Sequence, residues 1–356
     1  MTGRSIINFL LKSVLLGVAV AALLLIFVPE LRQGKGLAQG FFTDVSVSAN
    51  RESYFTALSR SAPAVVNIYS VSIENGSGLF RNQSRGRTNL GSGVIMTENG
   101  YLLTCHHVVA NADSIYVAVQ DGRILEAQII GTDPLTDLAV LKVTADNLHI
   151  IPQVPEPDTH VGDVVMAIGN PFDLGQTITQ GIVSRAGRNG LSNYVDFIQT
   201  DAVLNQGNSG GALVDSNGIL LGITNANFQV LDSTNRVRNV DGINFAVPYE
   251  LAKRVMDEII SNGRVIRGQL GFVGGENRNR PGIDVSAVAK GSPADIAGIR
   301  PGDIIVAIDG VRLESASKTL DMIAETEPGT ELEIELSRDG TSLTLTATVG
   351  ELRASQ

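Results

Sequence analysis

Between residues 60 and 245 the apolar residues come in short runs, "AVVNIYS", "GSGVIMT", "SIYVAVQDGRILEAQII", "LAVLKV", "VVMAIG", "GILLGIT" and "GINFAV", each bounded by turn-forming residues. Many short strands at such spacing predict β-barrels or a sandwich, because none of these runs can bury an apolar face except by pairing with its neighbours. The chain has 356 residues and is 43% hydrophobic. That is enough for two or three domains with packed cores. Residues 73–91, "IENGSGLFRNQSRGRTNLG", lack apolar periodicity and read as a mobile loop.

Outside this β-rich region the pattern changes. Ile6 to Val28 is apolar except at Asn8, Lys12 and Ser13, and as a helix this stretch would span roughly 35 Å, enough to cross a bilayer. A cleaved secretory signal has a shorter apolar core and a small-x-small cleavage site, whereas "PELRQ" follows here, so an uncleaved anchor is expected. Arg4 and Lys12 on one side are matched by Arg32 and Lys35 on the other, and the N-terminal amine tips the count towards a cytoplasmic N-terminus. Residues 33–50, rich in Gly, Ser, Gln and Asn, read as a tether. After the β-rich region, "PYELAKRVMDEIISNG" places Leu251, Val255, Met256 and Ile259 at helical spacing, with Pro248 opening the helix and Asn262-Gly263 stopping it. A smaller unit follows. It contains a short helix with Ser292 as N-cap, Pro293 in its first turn and Gly298 as terminator, then a helix near residues 317–325, and a hairpin turning at Asp339-Gly340.

The formal net charge of −10 and pI of about 4.9 argue against a nucleic-acid partner, which needs a concentrated basic face. The single cysteine, Cys105, cannot close a disulfide within the chain.

The chemistry turns on "QGNSGGALV", residues 206–214. Ser209 is a poor nucleophile unless a histidine held in one tautomer takes its proton. All four histidines, His106, His107, His149 and His160, precede it. That order excludes the α/β-hydrolase elbow suggested by G-x-S-x-G, in which the histidine follows the serine. An Asp-His-Ser order is poorly served by Asp44 in the tether. His, then Asp, then Ser remains: His107 in "YLLTCHHVVANAD", Asp137 in "DPLTDLAVLKV" thirty residues later, and Ser209 72 residues after that. A metal site at Cys105-His106-His107 is not expected, since adjacent side chains on an extended chain diverge. No metal or cofactor is expected.

"TCHHV", "LTDLAVLK" and "GNSGGAL" resemble the motifs of trypsin-fold serine proteases of the HtrA family, and "RGQLGFVGG" with "AVAKGSPADIAGIRPGDIIVAIDGVRL" resembles its PDZ domain. The fold implied is mainly β: a trypsin-like double β-barrel over residues 56–263 and one PDZ domain over 264–352, preceded by a cytoplasmic tip and transmembrane anchor over 1–32 and a tether over 33–55. The resemblance makes His107 the general base, Asp137 its orienting carboxylate and Ser209 the nucleophile. It puts the oxyanion hole at Gly207, Asn208 and Ser209, and pocket walls at Val203, Ile223, Thr224 and Asn225. Apolar Val203 implies a small or aliphatic residue before the cut. Asn208 stands where digestive relatives carry the aspartate used in zymogen activation. His106 departs from the residue expected before the base, and should face away if the strand continues. The peptide-binding loop of the PDZ domain would be Gln269, Leu270, Gly271 and Phe272, and Arg188 in "SRAGRNG" would link peptide binding to the oxyanion hole. Tyr54 and Phe55 are candidate contacts in a homotrimer.

Similarity to the anchored, single-PDZ members implies an inner-membrane, periplasm-facing protease. In those members, exposed C-termini of misfolded outer-membrane proteins activate cleavage of a membrane-spanning anti-sigma factor, which starts the envelope stress response. A general periplasmic quality-control protease and a binding protein with an inactive protease fold are the alternatives.

Overall fold

The computed structural model describes residues 3–27, 53–75, 84–186, 196–226, 230–231, 237–238, 242–276, 281–313 and 315–352. It divides into two units, 1–53 and 54–356. The first contains helix α1 (Gly3–Phe27), whose stretch Asn8–Phe27 is long and apolar enough to cross a membrane.

The second unit opens with the short helix α2 (Phe55–Ser61) and then builds two closed six-stranded barrels. The first comprises β1 (Val65–Asn75), β2 (Ser84–Ile95), β3 (Tyr101–Cys105), β4 (Ser114–Ala118), β5 (Ile124–Asp133) and β6 (Leu138–Lys142), with the single helical turn α3 (His106–Val109) after β3. The second comprises β7 (Val164–Gly169), β8 (Thr177–Arg185), β9 (Ile198–Thr200), β10 (Ala212–Asp215), β11 (Leu220–Asn225) and, after a small hairpin of β12 (Val230–Leu231) and β13 (Val237–Arg238), β14 (Asn244–Pro248). The near-continuous apolar runs follow from burial on both strand faces. In β6, Ala139 and Leu141 fill the first barrel, while Leu138 and Val140 face a second core that Met166, Ile168, Val214 and Ile223 of the other barrel complete. Helix α4 (Tyr249–Asn262) adds Ala252, Val255, Met256 and Ile259 to that inter-barrel core and ends at Gly263, whose φ is 74°.

The segment 73–91 departs from expectation. The β1–β2 ladder continues outward through Val71↔Thr88 and Ile73↔Gly86 to Asn75↔Ser84, leaving only 76–83 outside the described residues. Backbone pairing needs no apolar alternation where a hairpin arm projects beyond the barrel, so the sequence carried no periodic signal there.

The C-terminal unit is a sheet of β16 (Phe272–Glu276), β17 (Ile283–Val288), β18 (Ile304–Ile308), β20 (Glu331–Arg338) and β21 (Thr341–Thr348), with β19 (Val311–Arg312) on β18 and β15 (Gly268–Gln269) paired to β22 (Gly350–Glu351). Helices α5 (Pro293–Ala297) and α6 (Ala316–Glu325) complete it. Ser292 caps α5 by accepting the Asp295 N–H, and Gly298 ends it at a φ of 87°. Asp339 and Gly340 both take positive φ, 51° and 82°, as a two-residue hairpin turn requires. The register then sets Leu332, Ile334 and Leu336 opposite Ala347, Leu345 and Leu343.

Candidate active site

Strand β3 carries the chain to His107, but the strand ends at Cys105. The His106 N–H donates to the Asp137 carbonyl at 2.9 Å, and residues 106–109 form a helical turn. His106 therefore does not extend β3 as expected; it still diverges from His107, by the roughly 100° per residue of a helix. Among the described residues its buried Nδ1 has no hydrogen-bond partner.

Asp137 sits just before β6 in the left-handed region, φ 55°, and grips His107 with both carboxylate oxygens. Oδ1 accepts the His107 backbone N–H at 2.9 Å, and Oδ2 lies 2.6 Å from His107 Nδ1. The Asn225 amide donates to the same Oδ2 at 2.9 Å. Burial opposes the Asp137 charge, but the hydrogen bonds and charge of His107, with the Asn225 amide, outweigh it and hold the carboxyl below the usual aspartate range. An ionised carboxylate at Oδ2 fixes the tautomer with the proton on Nδ1, leaving Nε2 able to accept one.

Ser209 lies in the turn before β10, and its Oγ accepts the Ala226 N–H at 3.2 Å. Among the described residues no hydrogen bond joins that hydroxyl to His107. The Gly207 and Ser209 N–H groups are likewise uncommitted among the described residues, and the carbonyls of their own peptide planes fix their directions. In a trans peptide, N–H and C=O point oppositely. The Gln206 carbonyl accepts the Phe172 N–H at 3.0 Å, so the Gly207 N–H points away from Phe172. The Asn208 carbonyl accepts Thr224 Oγ1 at 2.6 Å and the Gly211 N–H at 3.0 Å, which sets the Ser209 N–H. Asn208 leaves the expected donor set: its N–H is spent on the Asn205 carbonyl at 2.9 Å. Glycine is required at 207, where φ is 102° and a Cβ would stand 2.4 Å from the Asn170 carbonyl, and at 210, where it would meet the Ser92 carbonyl at 2.3 Å.

The expected pocket walls are largely reassigned. Ile223 is wholly buried in the inter-barrel core, Thr224 is buried with its hydroxyl on Asn208, and the Asn225 amide is on Asp137. Strand β11 turns these side chains inward, so of the four only Val203, 53% exposed, presents a substantially open side chain. Arg188 lies outside the described residues. Tyr54 packs against the inter-barrel core, while Phe55 is 76% exposed.

In the C-terminal unit, Leu270 is buried, its carbonyl accepts the Ala294 N–H at 2.8 Å, and the Gly271 carbonyl accepts the Ala289 N–H at 2.9 Å. Among the described residues the Leu270 and Gly271 N–H groups have no partner, as a loop that captures a carboxylate needs. Gln269 is tied to the Glu351 carbonyl at 3.0 Å, and Phe272 begins β16. Just before β15, Arg267 makes a two-pronged ion pair with Asp133, at 2.8 and 2.6 Å, and Thr136 donates to the same carboxylate at 2.5 Å.

Cys105 Sγ, His107 and Asp137 bring possible ligand atoms within 4.8 Å of one another. Burial, aided by the Asp137 charge, pushes the Cys105 thiol well up, and His107 and Asp137 are already bonded to each other. A protonated thiol does not suit a metal, which needs a thiolate at that position.

Sequence reasoning missed Asn225 as the second partner of Asp137, and the hydrogen bonds that Ser92 in "GSG" donates to the Gly207 and Ser209 carbonyls. Both residues act through hydrogen bonds to distant segments, and neither has a motif of its own.

Residues 91–223 match the family described as trypsin-like peptidase domain, and residues 285–338 match the PDZ domain. The chain is 45% identical over 358 residues to the serine endoprotease DegS of Escherichia coli K12, covering 97% of this chain and 98% of that protein. Among solved structures, a serine endoprotease from Yersinia pestis is 46% identical with a TM-score of 0.69, covering 85% of this chain and 98% of that one. The HtrA-type protease AlgW, solved with a decapeptide, is 42% identical with a TM-score of 0.75, covering 85% of this chain and 100% of that one. Two barrels, a PDZ domain and identity at this level along nearly the whole length place the chain in the HtrA family of serine endoproteases, close to DegS.

Proposed function

We propose that this serine endoprotease is held in the inner membrane by α1, faces the periplasm, and is switched on when its PDZ domain captures the C-terminus of a misfolded outer-membrane protein. Its substrate is then a membrane-spanning anti-sigma factor, and its cleavage starts the envelope stress response. The observation that carries the chemistry is the double grip of Asp137 on His107. Ser209 Oγ attacks the scissile carbonyl and gives its proton to His107 Nε2. The carbonyl electron pair moves onto an oxygen received by the Gly207 and Ser209 N–H groups. His107 returns the proton to the leaving amine, and water, activated by the same imidazole, hydrolyses the acyl-enzyme.

Three features support gating. Among the described residues the Ser209 hydroxyl rests on Ala226 without a hydrogen bond to His107 and the Leu270 and Gly271 N–H groups have no partner, and the related AlgW was solved with a decapeptide. Arg188 and the homotrimer, with Phe55 as one exposed contact, belong to the same proposal. The test compares a folded periplasmic anti-sigma domain with unfolded casein, with and without a peptide ending in an aromatic residue. Peptide-dependent cleavage of the anti-sigma domain is expected. Peptide-independent digestion of casein alone would make the enzyme a quality-control protease instead.

A further inference from the structure

Ser92, wholly buried in β2 of the first barrel, reaches across to the nucleophile loop of the second at several points. Its N–H donates to the Ser209 carbonyl at 2.8 Å, and its hydroxyl donates to the Gly207 carbonyl at 2.7 Å. The same hydroxyl accepts the Asn170 N–H at 3.0 Å, and its own carbonyl accepts Thr104 Oγ1 at 2.7 Å. A hydroxyl has one proton and two lone pairs. Its proton is spent on Gly207, so Asn170 must be held by a lone pair, and one side chain serves a carbonyl and an N–H on two different segments.

Asn170 opens a turn that ends by orienting the loop. Its side chain accepts the Gly175 N–H at 2.8 Å and donates to Asp173 at 3.1 Å; Asp173 also accepts the Tyr69 hydroxyl at 2.7 Å. Phe172 and Asp173 are both held in the left-handed region, φ 53° and 57°, which aspartate enters readily but a bulky residue such as Phe172 seldom does. The turn places the Phe172 N–H on the Gln206 carbonyl. Ser92 thus bears on the 206–207 peptide from both sides, through Asn170 and Phe172 to its carbonyl end and through the Gly207 carbonyl to the residue carrying its N–H.

We propose that Ser92 is a positioning residue whose hydroxyl sets the direction of the Gly207 N–H that receives the oxyanion. This rests on reading Ser209 as the nucleophile. Without the hydroxyl, the Gly207 carbonyl and the Asn170 N–H both lose a buried partner, and the loop relaxes to recover one. Substrate binding through side-chain pockets is untouched, so the loss falls on turnover.

The test uses the full chain in detergent micelles with a peptide ending in an aromatic residue, following cleavage of a labelled periplasmic anti-sigma domain and the rate of Ser209 modification by a fluorophosphonate. Ser92→Ala is expected to lower kcat about 10- to 100-fold, less than outright removal of an oxyanion donor, with KM within about threefold and modification slowed in step with kcat. Ser92→Thr, which keeps the hydroxyl, is expected to recover most of kcat. A kcat for Ser92→Ala within twofold of the parent on the scale of such effects, or a Ser92→Thr no better than Ser92→Ala at equal melting temperature, would overturn the proposal. If Ser92→Ala fails to fold, Ser92→Cys, with its weaker donor, takes its place: reduced kcat is expected, and parental kcat would overturn the idea. Ser209→Ala in parallel separates the two levels. Cleavage surviving in it would remove the nucleophile reading, whereas an inert Ser209→Ala beside a fully active Ser92→Ala would remove only the role of Ser92.

Discussion

Asp137 shows how much of the site is decided by one residue's backbone and side chain together. A left-handed conformation places its carbonyl on the His106 N–H while its carboxylate takes both the ring and the backbone N–H of His107. Asp137→Asn keeps the shape but can present an N–H to Nδ1, favouring the wrong tautomer, so kcat is expected to fall by about 10⁴ at neutral pH with near-native stability. Asn225→Ala removes one hydrogen bond from a charged acceptor, and about a tenfold loss in kcat is expected from a bond of that class, at constant KM; steady-state kinetics would read both. The pairing of His107 with Asp137 was legible because the chemistry proposed for Ser209 demands those residue types and the absence of any later histidine excludes the rival order. Asn225 was not, because nothing local marks an amide that reaches 88 residues back along the chain. Nor could the sequence show that the Asn208 N–H is taken by Asn205; motif and turn chemistry agree on the loop while leaving each N–H unassigned.

Elements were legible where period and punctuation coincide. In α4 the apolar spacing, Pro248 and Gly263 all agree, and Ile259 is fully buried where that helix meets both barrels. Ile259→Ala should cost about 2–5 kcal/mol, read by urea unfolding. The β1–β2 arm was illegible because its pairing is carried by backbone alone. In the PDZ domain, Asp303 accepts Arg338 Nε and Nη2 at 2.7 and 2.8 Å and the Arg300 N–H at 2.7 Å. Burial works against its charge, but the hydrogen bonds and charges of Arg338 and Arg300 prevail and hold its pKa below the usual aspartate value. The stability it contributes is therefore complete above the unfolded value, about 4, and is lost as pH falls through the lower folded one. Asp303→Asn should be clearly less stable than the parent at pH 7, with the gap closing towards pH 2. Thermal unfolding at both values would show it, and an equal gap at both would contradict the assignment.

At the scale of the molecule, the proposed function asks how a peptide captured by the PDZ domain would reach the Ser209 loop of the protease domain. Arg267, at the start of the PDZ domain, and Asp133, on β5, form a nearly buried ion pair that also holds Thr136, the residue before Asp137. Arg267→Ala strands the Asp133 carboxylate in a buried position, at a cost of about 3–5 kcal/mol, and is expected to change the ratio of peptide-stimulated to basal activity. Denaturation and paired activity assays would separate the two effects. Domain order was readable from the change of pattern after Gly263; this contact was not, since an arginine and an aspartate 134 residues apart are only two charges in a sequence. The most direct measurement of the whole is cleavage of a folded anti-sigma domain by the parent and by Ser209→Ala, each with and without a peptide ending in an aromatic residue. Cleavage by the parent only when peptide is present, and none by Ser209→Ala, is the expected result; cleavage indifferent to the peptide, or surviving in Ser209→Ala, would contradict a peptide-gated serine protease.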